Sequence, residues 1–261
     1  MRDLKLIRSR DNARFKALRE LATSTRERRK AGLALLDGAH LISAYRASGG
    51  VPEQLILSES ATANPEAAQL AAGASSQGVL VLADSLFNDV AQVATPTGIV
   101  ALIRTPKPGH LPATIERCVM LENIQDAGNL GSILRSTAAA GIRMVLLSQG
   151  CAFAWSPKVL RAGMGAHFSL DIFDNADLAT VMHRLSGRLI CTSGHARKSL
   201  YQADLRGPLA WVFGNEGSGV SAALSAAAAE QVRIPMPGKT ESLNVAAAAA
   251  ICLFEQVRQR M

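Results

Sequence analysis

Residues 118–147 read CVMLENIQDAGNLGSILRSTAAAGIRMVLL, and their pattern decides the fold. Cys118–Leu121 and Met144–Leu147 are unbroken apolar runs of strand length. Between them Leu130, Ile133, Leu134, Thr137 and Ala138 recur at i, i+3, i+4, i+7 and i+8, which is one core-facing stripe of a helix. Asn129 is placed to cap the start of that helix and Gly141 to follow its end, with Arg135 on a different side from the stripe. Strand, helix and strand in this order imply a parallel pairing.

The same alternation continues outward. Apolar runs at Leu189–Cys191, Leu209–Phe213 and Val232–Ile234 are separated by helical patterns, so the second half of the chain is α/β, a mostly parallel sheet with helices on both faces. The last helix spans about Leu243 to Arg258 and carries five consecutive alanines, whose small side chains let a neighbouring helix or a second subunit approach closely. Upstream, TPKPGHLP at 105–112 has three prolines and a glycine in eight residues and opposes both helix and strand. It marks a linker at 105–113, with a small α/β domain over 1–104 and a larger one over 114–261. In the smaller domain a helix, a short strand and a helix fill 11–47. Strands follow at Leu55–Leu57, Val79–Leu82 and Ile99–Ile103, with helices near Pro65–Ala72 and Leu86–Val93.

With 261 residues, 48% hydrophobic and 19% charged, the chain is globular and long enough for two cores. Its net charge of +7 sits in residues 1–30, which hold eleven Lys or Arg against four acids, while the remainder balances at seventeen each. Positive charge gathered in this way favours a polyanion over a small acidic metabolite. Arg8, Arg10, Arg14, Lys16, Arg26, Arg28, Arg29 and Lys30 are the candidate contacts to RNA or DNA. Cys118, Cys151, Cys191 and Cys252 lie far apart without a CxxC pair, so neither a zinc site nor a disulfide framework is expected. The N-terminus lacks a secretory apolar core, and the longest apolar run is about half a membrane span. A reducing cytoplasmic setting is the expectation.

Three glycine-studded segments carry the chemistry: Asn123–Gly141, Phe213–Ser221 and Ile234–Ala246. Each follows an apolar run and opens a helix, where glycines admit close backbone approach and helix starts offer free N–H donors. No GxGxxG follows the first strand of the larger domain, which disfavours a dinucleotide site. Gly238-Lys239-Thr240 looks like a phosphate loop, but Arg233 stands where that loop needs its first glycine. A hydrolase triad has no GxSxG anchor.

Together the segments resemble the SpoU/TrmH family of the SPOUT class, RNA ribose 2′-O-methyltransferases that use S-adenosyl-L-methionine. Asn129, Arg135 and Ser136 match its first motif. Gly214-Asn215-Glu216-Gly217-Ser218-Gly219 matches Gly-x-Glu-Gly-x-Gly, and Ile234-Pro235-Met236-Pro237-Gly238 with Ser242-Leu243-Asn244-Val245 matches the third. The N-terminal region is similar, more loosely, to the family's substrate-binding domain in Asn12–Leu18, Arg26–Lys30 and Leu35–Gly38, with Asp37 where Glu is commoner. The resemblance implies a trefoil knot in the C-terminal domain, a homodimer that completes the site, no metal, and ribosomal or transfer RNA as substrate.

It also implies roles for named residues. Gly214, Ile234 and Leu243, with Gly194, Met236 and Ser242, are the expected cofactor contacts, and Arg135, Asn129, Glu216, Ser242 and Asn244 the expected catalytic rim. The family account makes the Arg an activator of the 2′-hydroxyl. A guanidinium seldom gives up its proton, so stabilising charge and orienting the hydroxyl is the role expected for Arg135. Glu216 is expected to hold its loop through amide N–H groups or to pair with an Arg across the dimer. Two rival readings keep the architecture: a catalytically silent RNA-binding protein, and a methyltransferase acting on a base.

Overall fold

The computed structural model describes residues 6–72, 78–91, 93 and 95–261. Arg2, Asp3 and Lys5 of the basic segment, and Gln92 in the helix expected near Leu86–Val93, lie outside the described residues. The chain packs as two compact units, one running to Pro106 and including Trp155–Phe168, the other formed by Lys107–Ala154 and Ser169–Met261.

In the first unit β1 (Leu6–Ile7), α1 (Ala13–Thr23), α2 (Thr25–Ala31), β2 (Leu33–Asp37), α3 (Ala39–Ala47), β3 (Gln54–Ser58), α4 (Pro65–Ala72), β4 (Val79–Leu82), α5 (Asp84–Ala91) and β5 (Ile99–Arg104) follow in order. The sheet runs β1-β4-β3-β5-β2. β4 is parallel to β1 and β3, and β5 is antiparallel to β3 and β2. Phe15, Leu18 and Ala22 of α1 bury against Leu86, Phe87 and Val90 of α5. Each large apolar side chain so buried contributes roughly 1.5–3 kcal/mol. Arg14, Lys16 and Arg26 are consequently left in solvent.

One basic helix was expected here, and two are found. Ser24 ends α1 and caps α2, its side chain accepting from the Glu27 amide at 3.2 Å. Arg28 corrects the list of RNA contacts. It is buried, donating to the Leu21 and Ala22 carbonyls at 2.5 and 2.9 Å and to the Thr25 hydroxyl at 2.9 Å. Its charge closes the open end of α1, where carbonyls lack helical partners.

β6 (Cys118–Leu121), α6 (Ala127–Ala139) and β7 (Met144–Leu147) form the βαβ unit read from the opening stretch. Gly141 follows α6 in a left-handed conformation, φ +73°. α7 (Pro157–Gly163), capped by Ser156, packs with the first unit, where Arg161 lies 3.7 Å from Asp37 of β2. Burial pushes the Asp37 carboxyl up, and Arg161 opposes that shift. The second unit continues with β8 (Asp171–Phe173), α8 (Leu178–Val181), β9 (Arg188–Thr192), β10 (Lys198–Ser199), β11 (Leu209–Phe213), α9 (Ala222–Ala227), β12 (Glu230–Arg233) and α10 (Val245–Arg260).

Its sheet order is β10-β12-β9-β11-β6-β7-β8, with every pairing parallel. β6 and β11 are buried on both faces, which is why they read as continuous apolar runs. Parallel pairing sends the loops after β6, β9, β11 and β12 to one end of the sheet, where α/β proteins keep their sites. α10 packs along α6.

Candidate active site

Two loops at that end hold each other through carboxylates. The segment after β6 presents its Gln125 and Asp126 amides to Glu216, at 3.3 and 3.1 Å. In return the Ser221 amide of the loop after β11 donates to Glu122 Oε2 at 2.7 Å. Asn215 adds a third tie, its Nδ2 donating to the Asn123 carbonyl at 2.9 Å, and Asn123 turns the chain there at φ +55°. Glu216 therefore holds the first loop as well as its own, since the Gln125 and Asp126 amides belong to the segment after β6 and its own amide also bonds the carboxylate.

The third motif joins this clasp through a side-chain relay. Asn129 Nδ2 donates to Glu216 Oε1 at 3.0 Å, and Asn129 Oδ1 accepts from Asn244 Nδ2 at 2.8 Å. Asn244 caps α10, its Oδ1 accepting from the Ala246 and Ala247 amides at 2.9 and 3.3 Å. Asn129 does not cap α6. Asp126 does, accepting the Asn129 amide at 2.8 Å, which places Asn129 inside the first turn with its amide group free for the relay. Burial alone would raise the Glu216 carboxyl, but the Asn129 side chain and the Asp126 and Gln125 amides together hold it below the ordinary glutamate range.

Beside the relay, a cavity of about 150 Å³ lies between the ends of β9 and β12 and the start of α10. Gly194, Ile234, Met236, Ser242 and Leu243 line it. A side chain built on Gly194 would meet open space, so the backbone there is free to be approached. Gly214 is not in the lining. A Cβ on it would stand 2.1 Å from the Gly219 carbonyl, so its place is the close crossing of its own loop.

Five of the six expected cofactor residues thus surround one cavity, and Asn129, Glu216 and Asn244 form one hydrogen-bonded chain that reaches it through Leu243. Arg135 stands outside both groups. It is exposed on α6, and its guanidinium makes no ion pair or hydrogen bond with any described residue. Sequence reading missed Glu122, Asp126 and Asn215. Asp126 was findable as a helix-capping residue three positions before Asn129, whereas Glu122 and Asn215 act across 99 and 92 residues of chain and leave no local signal.

The buried Cys118 thiol is pushed up to about 12 and Cys252 is raised further, so neither is a nucleophile. Among the described residues no group of three or more His, Cys, Asp or Glu side chains is placed to hold a metal ion. No helix among them is long and apolar enough to cross a membrane.

A profile of the SpoU rRNA methylase family matches residues 116–254. The chain belongs to the SpoU family. A second profile, the MRM3-like substrate binding domain, matches residues 12–101. An uncharacterised tRNA/rRNA methyltransferase of Synechocystis is 34% identical, over 99% of this chain and 95% of that protein. RlmP of Bacillus subtilis, a 23S rRNA guanosine 2′-O-methyltransferase, is 30% identical, over 96% of this chain and 98% of its own. Among solved structures, an RNA 2′-O ribose methyltransferase superposes with a TM-score of 0.83 at 32% identity, over 98% of this chain and 99% of that one. An AdoMet-bound rRNA methyltransferase from Sinorhizobium meliloti gives 0.85 at 25% identity, covering 99% of both chains. The SpoU match over 116–254 runs from just before β6 into α10 and so spans the parallel sheet.

Proposed function

We propose that this SpoU-family chain transfers a methyl group from S-adenosyl-L-methionine to a ribose 2′-hydroxyl of ribosomal or transfer RNA. The observation that carries the reading is the joining of all three motif segments in one place, by the Glu216–Asn129–Asn244 relay beside the Gly194–Leu243 cavity. When bound, the cofactor supplies an activated methyl group on a sulfonium centre. The cavity fits an adenosine part: Ile234, Met236 and Leu243 offer apolar walls, Ser242 a polar edge and Gly194 an unobstructed backbone. The relay fixes Asn244 at the start of α10, next to the wall residue Leu243, which suits a transfer that depends on alignment.

The role of Arg135 is electrostatic, since a guanidinium offers N–H donors and no acceptor. It orients the ribose hydroxyl and stabilises the negative charge that develops on it. Its exposure and freedom from partners among the described residues leave the guanidinium available to RNA. The site is completed by a second copy of the chain, and the half-exposed Phe254 of α10 supports such a pairing. A trefoil knot around the cavity and a cytoplasmic location complete the proposal. The catalytic reading is preferred to a silent RNA binder because the cavity retains a shape and lining suited to the cofactor.

Changing Arg135 to Ala tests the role directly. Methyl incorporation is expected to fall at least about a hundredfold, as when an oxyanion donor is removed. Calorimetric affinity for S-adenosyl-L-methionine should stay within about twofold of the parent, a difference of less than about 0.5 kcal/mol. Turnover equal to the parent would remove Arg135 from the chemistry.

A further inference from the structure

In the first unit, which carries none of the methylase motifs, a cleft of about 380 Å³ opens among the 3₁₀ turn Ser60–Ala63, the start of α5 and the segment Pro96–Gly98. That volume lies within the range usual for small-molecule sites, roughly 300–1,000 Å³. Ser60, Asp84, Asn88 and Thr97 supply polar groups, and Ala61 and Phe87 the apolar ones. Its walls are fixed: Gly98, at φ +84°, passes so close to Ala61 that a Cβ would stand 2.4 Å from the alanine methyl.

Two arginines from the basic segment flank this opening. Arg8 pairs with Glu59 at 2.5 Å, between Ser58 and Ser60, and Arg10 pairs with Asp89 at 3.0 Å, next to Asn88. Both guanidinium groups remain largely exposed, and surface ion pairs of this kind are weak enough to be shared with a phosphate. Within the cleft the charge is opposite. The Ser60 amide and hydroxyl both donate to Asp84 Oδ1, at 3.0 and 2.9 Å, and the Ser58 hydroxyl also bonds the carboxylate, whose two oxygens together still have lone pairs to accept a further donor. Those bonds hold the Asp84 carboxyl below its ordinary range, so it is ionised at neutral pH.

We propose that this cleft receives one unpaired nucleobase bearing an exocyclic amino group, while Arg8 and Arg10 hold the phosphates on either side of it. The inference rests on the RNA-binding reading above. An ionised carboxylate repels a phosphate and accepts from an amino N–H, so the charges sort backbone to the rim and base to the interior. Unpaired nucleotides are the form of RNA whose base edges are free to enter such a cleft. Cytosine offers an amino donor where uracil offers an acceptor, and Asp84 distinguishes the two.

The test measures binding of the full chain to oligocytidylate and oligouridylate of equal length, by fluorescence anisotropy over a range of salt. The parent should prefer oligocytidylate by about tenfold, in keeping with one good base contact. Asp84→Asn, which keeps the acceptor for Ser60 but adds a donor, should bring the ratio to one or below without changing the salt slope. Asn88→Ala, at an exposed helix position, should reduce the ratio in a fully folded chain. Replacing Arg8 and Arg10 by Ala should weaken both oligomers alike and reduce the log–log salt slope by about 1.4, two single-strand phosphate contacts. Equal binding of the two oligomers by the parent, or an unchanged ratio in Asp84→Asn, would overturn the cleft's role. Salt-independent or undetectable binding of both would instead sink the RNA-binding reading itself.

Discussion

At the scale of single residues, glycines separate two demands that the sequence presents identically. Gly194 and Gly214 both follow strands of one sheet, yet only Gly194 borders open space, while Gly214 lies against the Gly219 backbone. Gly194→Ala should therefore melt like the parent but lose at least about tenfold in S-adenosyl-L-methionine affinity, or roughly 1.4 kcal/mol. Gly214→Ala should lower the melting temperature itself, since overpacking of this kind costs about 1–3 kcal/mol. Calorimetry and thermal melts on the two variants check the contrast, and matching behaviour would refute it. Glu216 makes a pH prediction. Its folded-state carboxyl is depressed, so its clasp contributes fully above the unfolded glutamate value of about 4.3 and is lost as pH falls through the folded value. The difference in melting temperature between parent and Glu216→Gln should be greatest near neutrality and shrink in acid; a gap constant with pH would contradict it. The motif residues themselves were legible because their spacing is local. Asn129 was assigned the wrong local duty because a capping position shifts easily by three residues, and Asp126 competes for it.

At the scale of elements, legibility followed burial. β6, β7 and β11 sit inside the sheet, and their continuous apolar runs were read to the residue. β8 and β10 are edge strands of three and two residues, too short for any periodic signal, and escaped notice. β12 was read two residues late because only Val232 in it is buried and Ile234 belongs to the cavity wall. α10 was recognised by its alanines, but what fixes its far end was not visible. Gln256 Oε1 accepts from the Trp211 indole at 2.9 Å, and Gln259 bonds the Leu205 amide at 2.8 Å and the Ala203 carbonyl at 3.0 Å. Such contacts join α10 to residues about fifty positions away. Trp211→Phe removes a buried donor and part of the ring, and should cost about 2–3 kcal/mol. That corresponds to a drop in melting temperature of roughly 4–12 °C. Cofactor affinity should change little, because Asn244 caps the opposite end of the helix. An unaltered melt would show that the indole bond does not anchor α10.

At the scale of the whole molecule, charge and chemistry are divided along the chain. The net positive charge of residues 1–30 belongs with the first unit, and the three glycine-rich segments belong with the second. Composition exposed the first fact and motif spacing the second. The packing of Trp155–Phe168 with the first unit was legible in neither, because nothing in a local pattern tells a helix which of two cores will accept it. The central claim is that the cavity at the loop end of the parallel sheet presents a methyl donor to a ribose oxygen. Incubating the full chain with methyl-labelled S-adenosyl-L-methionine and ribosomal or transfer RNA lacking the modification, then digesting the product to nucleosides, measures that claim directly. The account predicts label in a 2′-O-methylated nucleoside, reduced in Gly194→Ala when the cofactor is limiting; label on a base, or none in either RNA, would contradict it.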